Sequence, residues 1–358
     1  MAPVLMLFLH LTSKGSPLMR HLHLHSASAL TALLVGLGSV AIADPTEVDI
    51  LLAPTGAGPY LAFATMQNYA ADFTDKVLPQ AVETPGFTYN VRYLASQPDL
   101  WENTLIGSGM VVEWAAAEGI APFFAAPIEA VRDFRIIGAL SNTTNVFVTF
   151  DEDIQSVDDF EGKRVAVGLL TMNEWGMHQK MMLDSWGTTE KLKSFDALGP
   201  SQNIDALLDG RADIGTLAAH SNFDFSYTLE AGPFKTLQSS GRDYHYVDID
   251  PELIQAYIDE TGAPFKIQTV EPGTFSGQTE ELTSFGNVAL ISAHKDFPEE
   301  LAYEFTKLWI ESGPTIGEYS AIAKIWEPET ISEVARTNPD LIHPGAMRAY
   351  REFGLVTD

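Results

Sequence analysis

An alternation of short apolar runs with helix-patterned segments, begun, interrupted and begun again, constrains this chain more than any single motif does. EVDILLAP predicts a strand, followed by the loop Thr55-Gly56-Ala57-Gly58-Pro59-Tyr60 and a helix reaching about Val77. YNVRYLAS predicts a second strand, PDLWENTLI a helix opened by Pro98 and Asp99, and GMVVEW a third strand ending at Glu113 and Trp114. FRIIGALSNTTNVFVTF reads as two strands around a polar turn at Asn142 to Asn145. The pattern then restarts. SVDDFEGKRVAVG gives a short helix, a turn at Gly162 and a strand, a polar corner leads into a helix through Trp186, and IDALLDGRADIGTLAA gives a helix, a turn at Gly210 and a strand ending at His220. Such alternation argues for parallel sheets flanked by helices, and its restart after an extended crossing predicts two α/β lobes. With crossings near Thr149 and Leu237, lobe I spans residues 44–148 and 238–358 and lobe II residues 149–237. The remaining elements are a helix at about Pro251 to Thr261, a strand at GNVALISA, and helices at about Pro298 to Ser312 and Gly313 to Lys324.

Residues 1–43 carry Lys14 and Arg20, no acid, and an apolar segment that ends in Ala41-Ile42-Ala43. This is the pattern of a secretory signal peptide cleaved after Ala43, with Met19 an equally good start. The HLHLH run at residues 21–25 lies in the part removed and is read as n-region composition. No later apolar run approaches bilayer-spanning length, so the exported chain is expected to be soluble and without a membrane anchor. Export leaves 315 residues, enough for two domains, and takes the formal charge from −27 to −29. Nucleic acid and anionic lipid are poor partners for such a chain. With no cysteine, thiol catalysis, disulfide scaffolds and Cys-based zinc sites are excluded together.

Enzyme signatures are missing as well: the chain has no H-E-x-x-H, G-x-S-x-G, Walker loop or G-x-G-x-x-G. The five histidines after residue 43 (His178, His220, His245, His294, His343) have no metal-ligand spacing among them. A binding protein without cofactor or metal is the expectation, with a secreted hydrolase or isomerase, or a sensor module, as the alternative from another class.

The motifs line up with a family. GTFSGQTEELTSFGNVALISAHKDFPEELAYEFTKLWIES, followed by LIHPGAMRAYREFG, closely resembles the TAXI family of solute-binding proteins that serve TRAP transporters. The matching positions are Phe275-Ser276-Gly277-Gln278, Phe297-Pro298-Glu299-Glu300 and His343-Pro344-Gly345-Ala346. Gly56, Gly58 and Tyr60 resemble the family's glycine loop after the first strand. The resemblance implies a two-lobed, type II-like periplasmic receptor that holds a small organic acid, such as glutamate or 2-oxoglutarate, in the cleft and delivers it to membrane subunits driven by an ion gradient. A receptor for an ABC importer, sharing the two-lobe architecture, is the alternative within the binding class. The chain departs from the family where a glycine-rich corner is usual. It has Gly168-Leu169-Leu170-Thr171-Met172-Asn173-Glu174-Trp175 there, and Glu113-Trp114-Ala115 after the third strand.

Strand-to-helix corners hold ligands in α/β proteins, which singles out several residues. Thr55, Gly56, Gly58 and Tyr60 belong to a loop whose glycines allow close backbone approach. Thr171 and Asn173 either contact the ligand, cap the following helix, or do both. Glu113 and Glu174 are read as partners for an amine or as solvated acids at helix starts. Trp114 and Trp175 are read as cleft walls or as core. A carboxylate favours an arginine: the candidates are Arg92, in the second strand and near the loop that includes Ser96, Arg242, and Arg164, which is discounted as remote from the strand end. His220 is read as an interior hydrogen-bonded histidine or a ligand contact.

Overall fold

The computed structural model describes residues 44–357, and the expected signal peptide with its cleavage point after Ala43 lies outside them. Strands β1 (Thr46–Leu51), β2 (Val77–Val82) and β3 (Thr104–Gly109) run parallel, linked through helices α1 (Gly58–Tyr69) and α2 (Phe87–Ser96). Helix α3 (Met110–Glu118) leads to β4 (Phe134–Thr149), a strand of 16 residues. A second parallel set follows: β5 (Arg164–Val167), α4 (His178–Ser185), β6 (Ser194–Ala197), α5 (Pro200–Leu208) and β7 (Ile214–Ser221). Next come β8 (Thr228–Glu230), α6 (Gly232–Ser239), β9 (His245–Val247), α7 (Pro251–Thr261), β10 (Lys266–Val270) and β11 (Leu282–His294). The chain closes with α8 (Glu299–Gly317), the short α9 (Pro328–Ile331) and α10 (Glu333–Thr337), and α11 (Pro344–Glu352).

The sheet order is β2-β1-β3-β11-β4-β7-β5-β6. Both ends are parallel and helix-flanked, while the middle is antiparallel through β3/β11, β11/β4 and β4/β7. The α/β architecture with two wound halves is therefore the one the interrupted alternation predicts. The two longest strands, β4 and β11, pair with each other from Phe134/His294 to Asn145/Phe285, with two register shifts on the way.

Several local expectations differ from what forms. YNVRYLAS is the helix α2: its buried positions Phe87, Asn90, Val91 and Leu94 recur at three and four residues, a helical stripe that a mixed-polarity segment disguises. GMVVEW is the start of α3 for the same reason, with Val111, Val112, Ala115 and Ala116 inside. The second and third strands are instead VLPQAV and TLIGSG. PDLWENTLI holds one 3₁₀ turn at Pro98–Leu100, and the helix after β1 ends at Tyr69, well before Val77. The polar run Asn142 to Asn145 is strand interior: Asn142 donates to Glu333 Oε2 at 2.7 Å and Asn145 to the Phe285 carbonyl at 3.2 Å, so buried amides find partners without a turn. Helix α8 runs through Gly313 as one helix containing Pro314.

The motifs that carry the family resemblance do structural work. His343 caps α11 by accepting from Gly345 N, its Nε2 lies 3.0 Å from the Phe297 carbonyl, and its own N–H donates to Ile136 O on β4. Gly345 is required because a Cβ there would lie 2.1 Å from Glu299 O. Gln278 closes its turn by accepting from Phe275 N and donating to Val270 O and Glu280 O. Behind β4, Phe63, Phe305, Trp309 and Trp326 pack stacked, edge-on and tilted, with ring centres 4.9–6.3 Å apart.

The long pair tolerates no side chain at Gly286, where a Cβ would fall 1.8 Å from the Thr143 carbonyl and also meet Gln268. Gly286→Ala is expected to destabilise the protein by about 2 kcal/mol or more, read as a lowered urea midpoint.

Candidate functional site

A cavity of about 880 Å³ opens where the carboxyl ends of parallel strands from both halves converge. The first half supplies the loop after β1 (Ala53 to Gly58) and Gly86 and Phe87 after β2. The second supplies the corner after β5, Gly199 to Gln202 after β6, His220 on β7 and Leu229 to Lys235 around β8. Tyr319 to Ile322, beyond α8, complete the wall. Convergence of strand ends on a crevice is the geometry by which open α/β sheets hold ligands.

Helix starts dominate this lining. The N-termini of α1, α2, α5 and α6, and of the turn that opens α4, all reach the cavity, and none of the five has a side-chain cap. Side-chain caps are likewise missing on α3, α8, α9 and α10, while α7 and α11 are capped by Asp250 and His343. Uncapped first turns leave backbone N–H groups and the positive end of the helix dipole facing the cavity. At α2 three donors are engaged: Gly86 N donates to Thr84 Oγ1 at 3.2 Å, Thr88 N to the Thr171 carbonyl across the two halves at 3.4 Å, and Tyr89 N to the Gly86 carbonyl at 3.0 Å. Three of these helices begin with Gly-Pro, at Gly58-Pro59, Gly199-Pro200 and Gly232-Pro233. Proline suits the first helical turn because its missing N–H costs no helical hydrogen bond there.

The corner after β5 is a π-type turn, Asn173–Met177, rather than an α-helical start. It folds back hard on the strand: Gly168 N donates to Trp175 O at 2.6 Å, and a Cβ on Gly176 would lie 2.3 Å from the Gly168 carbonyl. Both glycines serve this backbone approach. The turn buries polar groups that lack protein partners. Asn173 is 1% exposed with Nδ2 unpartnered, and Glu174 is 7% exposed with Oε2 unpartnered. Burial raises the Glu174 carboxyl to about 7. Below them, Asn287 Nδ2 donates to His178 Nε2 at 2.9 Å, and Gln179 Nε2 donates to Glu174 O at 2.8 Å. Desolvation lowers His178 to about 3 and His220 to about 4, so both rings are neutral near pH 7. His220 Nδ1 lies 3.0 Å from Ser141 Oγ, so it is an interior hydrogen-bonded ring that also reaches the cavity wall.

Of the residues singled out in the sequence, Thr55, Gly56, Gly58, Asn173, Glu174, Trp175 and His220 are brought together here. Six others lie elsewhere. Arg92 sits on a helix, not a strand, and its guanidinium stacks on Phe124 at 4.8 Å and donates to Phe123 O. Ser96 closes that same helix by donating to Tyr93 O. Glu113 accepts from Ser108 Oγ at 2.5 Å in the first turn of α3, with its carboxyl raised by burial, and Trp114 beside it packs on the core. Tyr60 also packs on the core, and Thr171 contributes its carbonyl to α2. Arg164 pairs with Asp213 and Arg242 stacks on Phe150, so among the described residues no arginine lines the cavity. Of the lining segments that sequence reasoning missed, 199–202 and 229–235 carried one usable signal, their Gly-Pro helix starts, and 319–322 carried none.

Compared with known proteins, residues 60–354 match the model of the NMT1-like family, and the chain belongs to it. A sequence comparison with curated proteins returns no match. Among solved structures, a TctC solute-binding protein from Polaromonas is similar at 13% identity and a TM-score of 0.48, covering 88% of this chain and 99% of that one. MatC from Rhodopseudomonas palustris, with bound malate, is similar at 12% identity and a TM-score of 0.46, covering 87% and 97%. The periplasmic aliphatic sulphonate-binding protein SsuA from Escherichia coli is similar at 13% and 0.38, covering 87% and 80%. No helix among the described residues is long and apolar enough to cross a membrane.

The buried acid and the buried histidines set opposite pH dependences. The folded Glu174 keeps its proton up to about pH 7 while the unfolded side chain releases it near 4.5, so its contribution to stability falls as pH rises through that window. His178 and His220 must charge on unfolding in acid, so theirs falls as pH drops below about 6.5. Glu174→Gln is therefore expected to raise stability at pH 8 by about 1–3 kcal/mol and to change it less at pH 5, measured by urea unfolding at both pH values.

Proposed function

We propose that this chain is an extracytoplasmic solute receptor of the TAXI type, capturing a small organic solute and presenting it to the membrane subunits of a TRAP transporter. The observation that carries the reading is the convergence of five uncapped helix starts from both halves of the sheet on one cavity of about 880 Å³. That volume lies in the range of small-molecule sites, and its donors suit a ligand rich in acceptor oxygens. Membership of the NMT1-like family supports the assignment, as do the tail motifs that resemble the TAXI proteins. The solute is a dicarboxylate or an amino acid, held by backbone donors instead of an arginine clamp. Binding without turnover, export after cleavage at Ala43, and closure of lobe II (149–237) on lobe I (44–148 and 238–358) complete the proposal.

Residues 44–358, screened by thermal shift against dicarboxylates, amino acids, sulfonates and amines, are the direct test. A ligand present at a hundredfold excess over its dissociation constant stabilises by about 2.7 kcal/mol, and a panel without any stabilising solute would remove the receptor reading. Copurification with small and large TRAP membrane subunits, as opposed to an ABC permease, decides the transporter class.

Ala231→Asp separates the role of the helix starts from stability. An aspartate at the bare N-cap of α6 is expected to stabilise the free protein by about 0.5–1 kcal/mol. By occupying the donors and placing a negative charge at the wall, it should weaken an anionic solute at least tenfold, measured by calorimetry.

A further inference from the structure

Glu174 is an anomaly in a cavity whose other features favour an anion. Its side chain is 7% exposed in the cavity wall, and its Oε2 has no hydrogen-bond partner. Helix starts from α1, α5 and α6 surround the same space. An ionised carboxylate inside this wall would repel the solute that the helix starts attract, and in a desolvated site such repulsion is large.

The groups facing the corner offer no countercharge. From β7 comes His220, and from α4 His178, both neutral rings. Lys180 and Asp184, farther along α4, pair with each other. From β4, which also packs on the turn, come the uncharged Asn142 to Asn145. Across the cavity, Glu230 is a second acid, bonded to Ser276 N and Oγ at 2.6 and 2.7 Å. Among the described lining residues the single cation is Lys235, exposed on α6.

Resting on the receptor reading above, we infer that capture of an anionic solute by this protein is coupled to uptake of one proton by Glu174, which makes this residue the determinant of a pH-dependent affinity. The proton comes from solvent and adds to the carboxylate, so the solute's negative charge sits beside a neutral acid and not beside a second carboxylate at that position. The raised Glu174 carboxyl, near 7 before any anion enters, places the transition in the neutral range. Above that point each pH unit weakens an anion about tenfold, until the occupied protein also releases its proton. A cation would show the reverse dependence.

The test uses succinate, 2-oxoglutarate and L-glutamate as anionic probes and putrescine as the cationic one, by calorimetry from pH 6 to pH 9 in two buffers of different ionisation enthalpy. Expected are tightening of at least one anion by about fivefold as pH falls from 8 to 7, uptake approaching one proton at pH 8, and a flat profile for Glu174→Gln, which keeps the shape and is always neutral. Glu174→Asp, retaining a titratable group, should restore a pH dependence. Anion binding that ignores pH, or the same slope in wild type and Glu174→Gln, overturns the inference while leaving the receptor reading intact. So does binding of putrescine with no anion bound. Absence of binding by all four probes overturns the inference, and the broader thermal-shift panel then decides whether the receptor reading falls with it.

Discussion

The antiparallel pairing of β4 with β11 is the interaction on which the rest of the structure depends. These strands occupy the centre of the sheet, so each half of the molecule is built outward from a shared pair. Their burial is nearly complete along 16 and 13 residues, which obliges every polar group on them to find a partner. Amides at Asn142 and Asn145 meet that demand with Glu333 and the Phe285 carbonyl, while Asn287 meets half of it, its Nδ2 on His178 and its Oδ1 without a partner. The same demand explains why a polar stretch that reads as a turn is strand interior.

The parallel sets on either side of this pair point their carboxyl ends at the same space, and the site follows from that arrangement. Its chemistry is mainly backbone chemistry. Bare helix starts provide donors that no side chain competes for, and Gly-Pro openings keep those turns free of bulky caps. Against this background Asn173 and Glu174 stand out as buried side chains with unused hydrogen-bonding capacity. A buried polar atom without a partner in a folded protein calls for an explanation, and for these two the solute proposed above would supply one.

Much of this was legible in the residues, and the gaps have physical causes. The second half was readable because its strands are short apolar runs bounded by glycine turns, as at Val165 to Val167 and Ile214 to Ala219. The first half was harder. In YNVRYLAS a buried Asn90, which donates to Leu51, Leu52 and Gly107 carbonyls, breaks the apolar stripe that would mark a helix. The site loops after β1 and β5 were found because polar and glycine residues at a strand end are conspicuous. Arg92 was misplaced with its helix: charge complementarity suggested a role, but a guanidinium can equally satisfy itself on an aromatic face and a carbonyl. Segments 199–202 and 229–235 left only their Gly-Pro helix starts as a sign, because their contribution is main-chain N–H, which no residue type marks.

The sheet order also sets the timetable on which the chain can fold. Strands β3 and β4 are consecutive in sequence but separated in the sheet by β11, which does not begin until Leu282. As the chain emerges N-terminus first, the central edges of β3 and β4 wait unpaired for a segment more than a hundred residues downstream. Contacts of such long sequence separation form late, because the intervening loop must be closed before any pairing energy is gained. The first half therefore completes its core only when nearly the whole polypeptide is available, so a chain cut short before Leu282 leaves both central edges open.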